Sequence, residues 1–265
     1  MLSRKREAEL SELAEYIADY YCPNRMISPE LIADQKHISY SYGDYGAAFD
    51  GLIEHESKNF HIYINTKNVE SDSPRSRFTF AHELGHYFID EHRKELLNGR
   101  TPSHPSFTNF SSKNPVEFEA DFFASSLLLP ESRIRQDCFK KPFNYALVEA
   151  LATKYKTSIT ATVLKLMTID KHPIMLVCSI NGKIKWFRQS HDFPFKWLKK
   201  PFGMVPKNSL AGAFFESKEK FDEEFPVTAN DWFENVRYNE VDREFWEKCI
   251  YSEKHNFVLS IVWEN

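Results

Sequence analysis

The sequence of 265 residues carries a net charge of −4 and is 42 % hydrophobic. Such a chain is long enough for one large domain or two modest ones, and its apolar content excludes an intrinsically disordered protein. The acidic balance disfavours a protein whose main function is direct nucleic-acid binding, and no apolar run reaches the length of a membrane span. The 4 cysteines form no CxxC pair and the first residues contain no apolar signal region, so the sequence predicts a cytoplasmic protein without disulfides.

The first part of the chain combines helical and strand-like segments. Apolar residues at helical spacing predict a helix over 5–21, and Ser28 followed by Pro29 predicts the first turn of a second, short helix. The hydrophobic pattern then changes to the period of a strand. Strands are expected over 37–42, 47–55 and 59–64.

Residues 78–90, FTFAHELGHYFID, contain an HExxH pattern. His82 and His86 lie four positions apart, so on a helix their imidazoles stand one turn above each other and can reach a single zinc ion. Glu83 lies on the flank of that face, where it can hold a metal-bound water molecule and take its proton. The helix also carries a separate apolar stripe suited to burial, formed by Phe80, Leu84 and Phe88. The run therefore predicts a half-buried helix whose polar side chains face a cleft.

A zinc site of this kind needs a third protein ligand, and two downstream histidines are candidates. His92 lies six positions after His86, as in metzincins, but this chain has Ile89 where that pattern has a glycine. A β-branched residue disfavours the left-handed turn by which the chain leaves the helix at that position. If the helix simply continues, His92 lies about 240° around from His86 and faces elsewhere. His104 lies in a polar stretch, 98–114, and is expected to be a solvated loop histidine.

Acidic residues on the next predicted helix are the other candidates. That helix starts at Asn114, and Glu117 and Asp121 lie one turn apart on its otherwise apolar surface. Glu117 can bind the metal while Asp121 orients a ligating histidine, and Glu119 is the fallback ligand. Alternatively, Glu117 lies three residues after Asn114 and can fold back as a capping-box glutamate. Burial favours the metal role, because a carboxylate on an apolar helix requires a metal or another cation.

The remaining sequence predicts two amphipathic helices followed by a strand-rich region. The helices are expected over 143–155 and 158–169 in a helix-turn-helix arrangement, with Ser158 as the N-cap of the second helix. Asn181-Gly182 between two strand-like runs predicts a hairpin, and the chain ends in the strand-like run NFVLSIVW. The change from helical to strand-like patterning predicts a domain boundary near residue 170.

Two stretches resemble the ImmA/IrrE family of metallopeptidases, whose members carry an RFTxAHELGH-like run and an ExxAxxFAxxLLxP-like run. Here the first extends from Arg77 to His86 and the second from Glu117 to Pro130. The segment LATKYKTSITATVLKLMTI is similar to the helix-turn-helix-like tail of that family, with Lys165 where an arginine is usual. Together these segments extend the resemblance over roughly residues 5–170.

The resemblance implies a gluzincin-like zinc site with His82, His86 and Glu117 as ligands and Glu83 as the catalytic acid and base. Another divalent ion, such as Mn²⁺, is compatible with the same ligands. The resemblance further implies a cytoplasmic endopeptidase whose protein substrate is a specific transcriptional repressor with a helix-turn-helix. Candidates for stabilising the oxyanion are Tyr87, His104 and groups within residues 37–65, and the sequence does not decide among them.

Elements and resemblance together predict an α+β protein in three parts. Residues 1–139 are expected to form a zincin-like metallopeptidase domain with a small antiparallel-type sheet and active-site helices. Residues 140–170 would form a helix-turn-helix-like segment, and 171–265 an α/β C-terminal domain of unassigned role. In zinc peptidases built on HExxH, the strand before the motif helix, here 59–64, often forms the sheet edge that pairs with an extended substrate. The alternative function is that of a non-catalytic regulatory protein that contains metal or associates with DNA.

Overall fold

The computed structural model describes residues 2–99, 106, 114–169 and 172–264. This part of the chain is α+β, as predicted. The helices are α1 (Arg4–Tyr21), α2 (Pro29–Gln35), α3 (Pro74–Phe88), α4 (Asp90–Leu97), α5 (Pro115–Leu128), α6 (Glu131–Asp137), α7 (Tyr145–Tyr155), α8 (Ile159–Thr168), α9 (Leu210–Ser217) and α10 (Ala229–Trp232), with a 3-10 turn at Tyr238–Glu240. The strands are β1 (Ser39–Gly43), β2 (Gly51–Glu56), β3 (Asn59–Asn65), β4 (Ile174–Ile180), β5 (Lys183–Gln189), β6 (Phe225–Thr228), β7 (Glu244–Ser252) and β8 (Phe257–Trp263).

Contacts among these elements divide the chain into two compact units. The first contains Met1–Asp137 and Ala150–Thr162, and the second contains Cys138–Glu149 and Val163–Asn265. Helices α7 and α8 each contribute residues to both units. The division into domains ending at residues 139 and 170 stays a prediction.

The first unit contains a small sheet in the order β1-β3-β2. Strand β3 pairs with β2 in the antiparallel sense and with β1 in the parallel sense. The predicted antiparallel-type sheet is therefore correct for β2 and β3 and wrong for β1. The order also corrects the expectation for 59–64: β3 is the central strand, so β2 is an edge strand on this side of the sheet.

The connection between β1 and β2 explains the mixed sheet. The side chain of Asn65 donates to the carbonyl oxygens of Gly46 at 3.1 Å and Phe49 at 2.6 Å, and it accepts from the amide of Tyr45 at 3.2 Å. These bonds hold the connection across the end of β3, so β2 enters the sheet beyond β3 and not beside β1. A hydrogen-bonding role of this kind leaves no periodic signal in the sequence.

One face of this sheet packs on α3, and α5 packs against both α3 and α1. Ile62, Phe80, Leu84 and Phe123 are fully buried in this core. Burial of each such side chain stabilises the fold by about 1.5–3 kcal/mol. The apolar stripe predicted for the motif helix therefore holds α3 between the sheet and α5.

The second unit is built on an antiparallel sheet in the order β5-β4-β8-β7-β6. The predicted hairpin is confirmed: Asn181 and Gly182 join β4 to β5 with positive φ values of 53° and 74°, as a type I′ turn requires. The predicted C-terminal strand is confirmed as β8. Helix α9 packs on β7 and β8. Among the described residues, no helix is long and apolar enough to cross a membrane.

Candidate metal centre

Helix α3 positions the two motif histidines. The helix begins with Ser73, whose hydroxyl accepts from the amide of Ser76 at 3.2 Å, and with Pro74 in the first turn. Helix α5 packs against α3. His82 and His86 are both buried, with ring centroids 4.9 Å apart and Nε2 atoms 3.1 Å apart. The four-residue spacing therefore brings the two imidazoles together as predicted.

Helix α5 brings Glu117 to the histidines. Its Oε2 lies 3.2 Å from Nε2 of His82, and its Oε1 lies 3.7 Å from Nε2 of His86. Asn114 caps the helix with its own side chain, which accepts from the amide of Val116 at 3.1 Å. Of the two roles open to Glu117, the arrangement favours the metal role, because both carboxylate oxygens face the imidazoles.

The three side chains fit a divalent metal ion. One ligand atom from each of His82, His86 and Glu117 lies within 4.8 Å of the other two. In a tetrahedral zinc site with metal–nitrogen distances near 2.0–2.1 Å, neighbouring ligand atoms lie about 3.3 Å apart. The observed separations bracket that value: 3.1 Å between the two Nε2 atoms, and 3.2 and 3.7 Å from these atoms to Oε2 and Oε1 of Glu117, respectively. Two imidazoles and one carboxylate are also a donor set that suits zinc.

Asp121, one turn after Glu117, orients one of the histidines. Its Oδ1 lies 2.9 Å from Nδ1 of His82, so Nδ1 carries the proton and Nε2 faces Glu117. Burial lowers the pKa of His82, but hydrogen bonds to Asp121 and Glu117 outweigh it and raise the pKa to about 10. The same carboxylates that hold a proton on this ring would favour a metal cation in its place.

Glu83 is fully buried beside the metal ligands. Neither carboxylate oxygen makes a well-formed hydrogen bond within the described part of the chain. Burial raises the pKa of Glu83 to about 7. A buried carboxylate that lacks well-formed hydrogen bonds destabilises a fold, so its presence here points to a chemical role.

Gly51, the first residue of β2, makes room for Glu83. A Cβ atom at this position would lie 2.6 Å from Oε1 of Glu83 and 2.4 Å from Cγ2 of Thr79. The backbone of Ser106 pairs with Gly51 on the edge of β2, where its amide donates to the carbonyl oxygen of Gly51 at 3.0 Å. Sequence reasoning missed Gly51 and Ser106, because this close approach joins residues far apart in the chain.

His92 lies beside the metal centre, which corrects the expectation that it faces elsewhere. Helix α3 ends at Phe88, Ile89 is extended with φ −75° and ψ 113°, and α4 begins at Asp90. This break brings the ring of His92 to 5.2 Å from the ring of His86. Nε2 of His92 lies 3.3 Å from Glu119. The helix can break at a β-branched residue because an extended backbone, unlike a left-handed one, suits isoleucine.

Glu119 is not brought to the ligand cluster. Its Oε2 lies 2.6 Å from Nη2 of Arg6 on α1, so the structure gives the fallback assignment no support. Tyr87, a candidate for the oxyanion, packs its ring against Phe60 at 5.0 Å and Phe88 at 5.1 Å. The other candidate in the polar stretch, residue 104, lies outside the described residues.

Comparison with known proteins gives the family of this region. Residues 47–167 match the model of the IrrE N-terminal-like domain, Peptidase_M78. This match confirms, for this part of the chain, the resemblance to the ImmA/IrrE family and a metallopeptidase-type domain. The matched region contains the histidines, Glu83, Glu117 and Asp121.

A solved structure of a Mycobacterium tuberculosis transcriptional regulator is similar to this chain in fold. The two share 12 % sequence identity with a TM-score of 0.57, over 97 % of this chain and 76 % of that chain. Comparison with curated protein sequences gave no significant match.

Proposed function

We propose that this chain is a zinc-dependent endopeptidase of the cytoplasm that hydrolyses a peptide bond in a protein substrate. The observation that carries the proposal is the position of Glu83, buried and without well-formed hydrogen bonds beside three converging ligand side chains. A metal site that only stabilises the fold does not require such a residue. A hydrolytic site requires it, because a general base must be available to the attacking water.

The metal ligands in this proposal are His82, His86 and Glu117, with Asp121 orienting His82. Bound zinc would acidify a water molecule and polarise the substrate carbonyl. Glu83 takes the proton of the attacking water and then delivers it to the leaving amine. A carboxyl pKa near 7 suits both steps, because the group is then a base before the attack and an acid after it.

The edge of β2 is the proposed binding strand for an extended stretch of substrate. An edge strand offers backbone groups to a peptide. The backbone of Gly51 is itself paired with Ser106, so the stretch of β2 offered to substrate begins after Gly51, next to the carboxylate of Glu83. Main-chain pairing at this edge would bring a peptide bond of the substrate to the carboxylate. The strand that positions substrate is thus the one that also makes room for the general base.

The proposed substrate is a helix-turn-helix transcriptional repressor, and its support is the family resemblance. The fold similarity to a transcriptional regulator is consistent with a role in gene regulation. Helices α7 and α8 lie where the helix-turn-helix-like segment was predicted, and the hydroxyl of Ser158 accepts from the amide of Ala161 at 3.1 Å. We assign 1–139 to the peptidase domain, 140–170 to this segment and 171–265 to a C-terminal domain.

The test is co-incubation of the purified full chain with the repressor encoded beside its gene. Cleavage of the repressor is expected with one equivalent of zinc, loss of cleavage with a chelator, and recovery when zinc is added back. Unrelated unfolded proteins serve as the specificity control. Salt-dependent DNA binding without any cleavage would contradict the proposal and support the non-catalytic regulator.

A further inference from the structure

Behind the metal centre, α5 presents a second acidic side chain to a cluster on two other helices. Glu119 is 18 % exposed, and its Oε2 lies 2.6 Å from Nη2 of Arg6 on α1 and 3.3 Å from Nε2 of His92 on α4. The same guanidinium nitrogen lies 3.2 Å from Glu91 on α4. Three helices therefore meet at one mostly buried carboxylate.

This cluster adjoins the metal ligands on two sides. The ring of His92 lies 5.2 Å from the ring of His86, and its Nδ1 has no hydrogen-bond partner within the described residues. Glu119 is the polar group that fixes the ring of His92. Along α5, Glu119 comes two residues after Glu117, so any rotation of the helix moves both carboxylates.

The geometry of α5 separates the two carboxylates, so that Glu119 can fix the helix while Glu117 binds the metal. Residues two apart on an α-helix point about 200° apart, so the two carboxylates leave α5 on nearly opposite sides. With side-chain ends about 5–6 Å from the axis, a rotation of about 20° moves a carboxylate by about 2 Å. Metal ligands tolerate displacements of only about 0.2 Å. A contact that fixes the rotation of α5 therefore controls the position of Glu117.

We infer that Arg6, Glu119 and His92 are positioning residues of the metal centre, a role that rests on the proposed zinc site. Arg6 holds Glu119 and thereby fixes the rotation of α5, which presents Glu117 to the two histidines. His92 fills the space between Glu119 and His86 and restrains the ring of that ligand. The N-terminal helix α1 thus takes part in metal binding without contributing a ligand.

The charge of the mostly buried Glu119 explains why a cationic side chain, Arg6, lies beside it. Glu119 has little access to water, and Arg6 is its closest cationic partner. Removing that partner leaves a mostly buried carboxylate uncompensated, which is costly. The carboxylate would then turn toward solvent or toward another cation, and α5 would lose the contact that fixes its rotation.

The experiment measures zinc affinity of the full chain by competition with a chromogenic chelator. Arg6→Met keeps the stem of the side chain and removes the guanidinium, and we expect affinity to fall about tenfold, as for other groups that orient metal ligands. Arg6→Lys should recover part of the loss. The absorption spectrum of the Co²⁺-substituted protein at saturating metal should also change in Arg6→Met, because the ligand geometry has changed.

Arg133 on α6 provides a matched control. It also clamps α1, at the opposite end of the helix, where its Nη2 donates to the carbonyl oxygens of Ala18 and Cys22, both at 3.1 Å. Arg133→Met should lower the melting temperature and leave zinc affinity and the cobalt spectrum unchanged. A loss of zinc affinity equal to that of Arg6→Met would reduce the role of Arg6 to general stability and overturn the inference.

A double variant separates positioning from loss of charge balance. Glu119→Gln removes the carboxylate charge, so Arg6→Met/Glu119→Gln should bind zinc more tightly than Arg6→Met alone. Zinc affinity of Arg6→Met equal to that of the wild type, with the same cobalt spectrum, would overturn the positioning role. A wild type that binds no zinc would instead refute the proposed metal site.

Discussion

Oε2 of Glu117 lies 3.2 Å from Nε2 of His82, and its Oε1 lies 3.7 Å from Nε2 of His86. One carboxylate from α5 thus spans two imidazoles that stand one turn apart on α3. All three groups are largely withdrawn from water. A cation among them, either a proton or a metal ion, is needed to balance the carboxylate.

Glu117→Gln is expected to abolish stoichiometric zinc binding. The amide keeps the size of the side chain but removes the negative charge, so it is a much poorer zinc ligand. Zinc content after dialysis against a weak chelator measures the effect. Glu119→Gln is the control: it should retain zinc, weakened about tenfold at most. Full zinc occupancy in Glu117→Gln with loss in Glu119→Gln would move the ligand by two residues.

Glu83→Gln is expected to retain zinc and lose proteolysis. The amide preserves the shape of the buried side chain but cannot accept a proton, so turnover should fall about 10²- to 10⁴-fold. Metal content and the rate of repressor cleavage, measured on the same preparation, separate the two effects. Cleavage at the wild-type rate would show that Glu83 is not the general base.

Gly51→Ala is expected to disturb Glu83 without removing the metal. The added Cβ would lie 2.4 Å from Cγ2 of Thr79 and 2.6 Å from Oε1 of Glu83, so both side chains must shift, at a cost of about 1–3 kcal/mol of stability. Activity should drop while zinc affinity stays within about twofold of the wild type. In a Glu83→Gln background, Gly51→Ala should cause no further loss of activity.

Gly43→Ala is the matched control for this substitution. Gly43 lies in the same sheet, and a Cβ there would meet the ring of Tyr45 at 3.1 Å, the far end of a side chain that can shift. This variant should keep its activity. An equal loss of activity in both variants would mean that damage to the sheet, and not displacement of Glu83, causes the effect.

The two helices that carry the candidate ligands could be predicted because the pattern that defines each one lies within a short stretch of sequence. The spacing of His82 and His86 decides that both lie on one face of α3. The apolar surroundings of Glu117 and Asp121 mark both acids as unusual within the sequence of α5 itself. Each of these inferences needs only one helix at a time.

What could not be predicted depends on contacts between distant residues or on one backbone angle. The fit of Gly51 against Glu83 joins a strand to a helix. The connection that leads from β1 to the far side of β3 is held by the side chain of Asn65. The position of His92 follows neither from a left-handed turn at Ile89 nor from an uninterrupted helix, because the observed break has φ −75° and ψ 113°. That extended conformation is accessible to any residue and leaves no sequence signal.

Zinc affinity should rise with pH, because the metal must displace a proton from His82. In the folded, metal-free protein burial lowers the pKa of this residue, but its hydrogen bonds to Asp121 and Glu117 raise it to about 10. A pKa raised in the folded state stabilises the fold below the unfolded pKa of about 6.5. That stabilisation is lost as the pH rises through about 10. Between pH 6 and 9, displacement of this proton should raise the apparent zinc affinity about tenfold per pH unit.

Asp121→Asn tests the cause of this dependence. Replacing the carboxylate removes a negative charge and weakens the bond that holds the proton on His82. We therefore expect weaker zinc binding at pH 9, because the ring is less well oriented, and a shallower rise of affinity with pH. Chelator competition for the wild type and the variant across this range measures both. A wild-type affinity independent of pH, or identical slopes in the two proteins, would contradict proton displacement from His82.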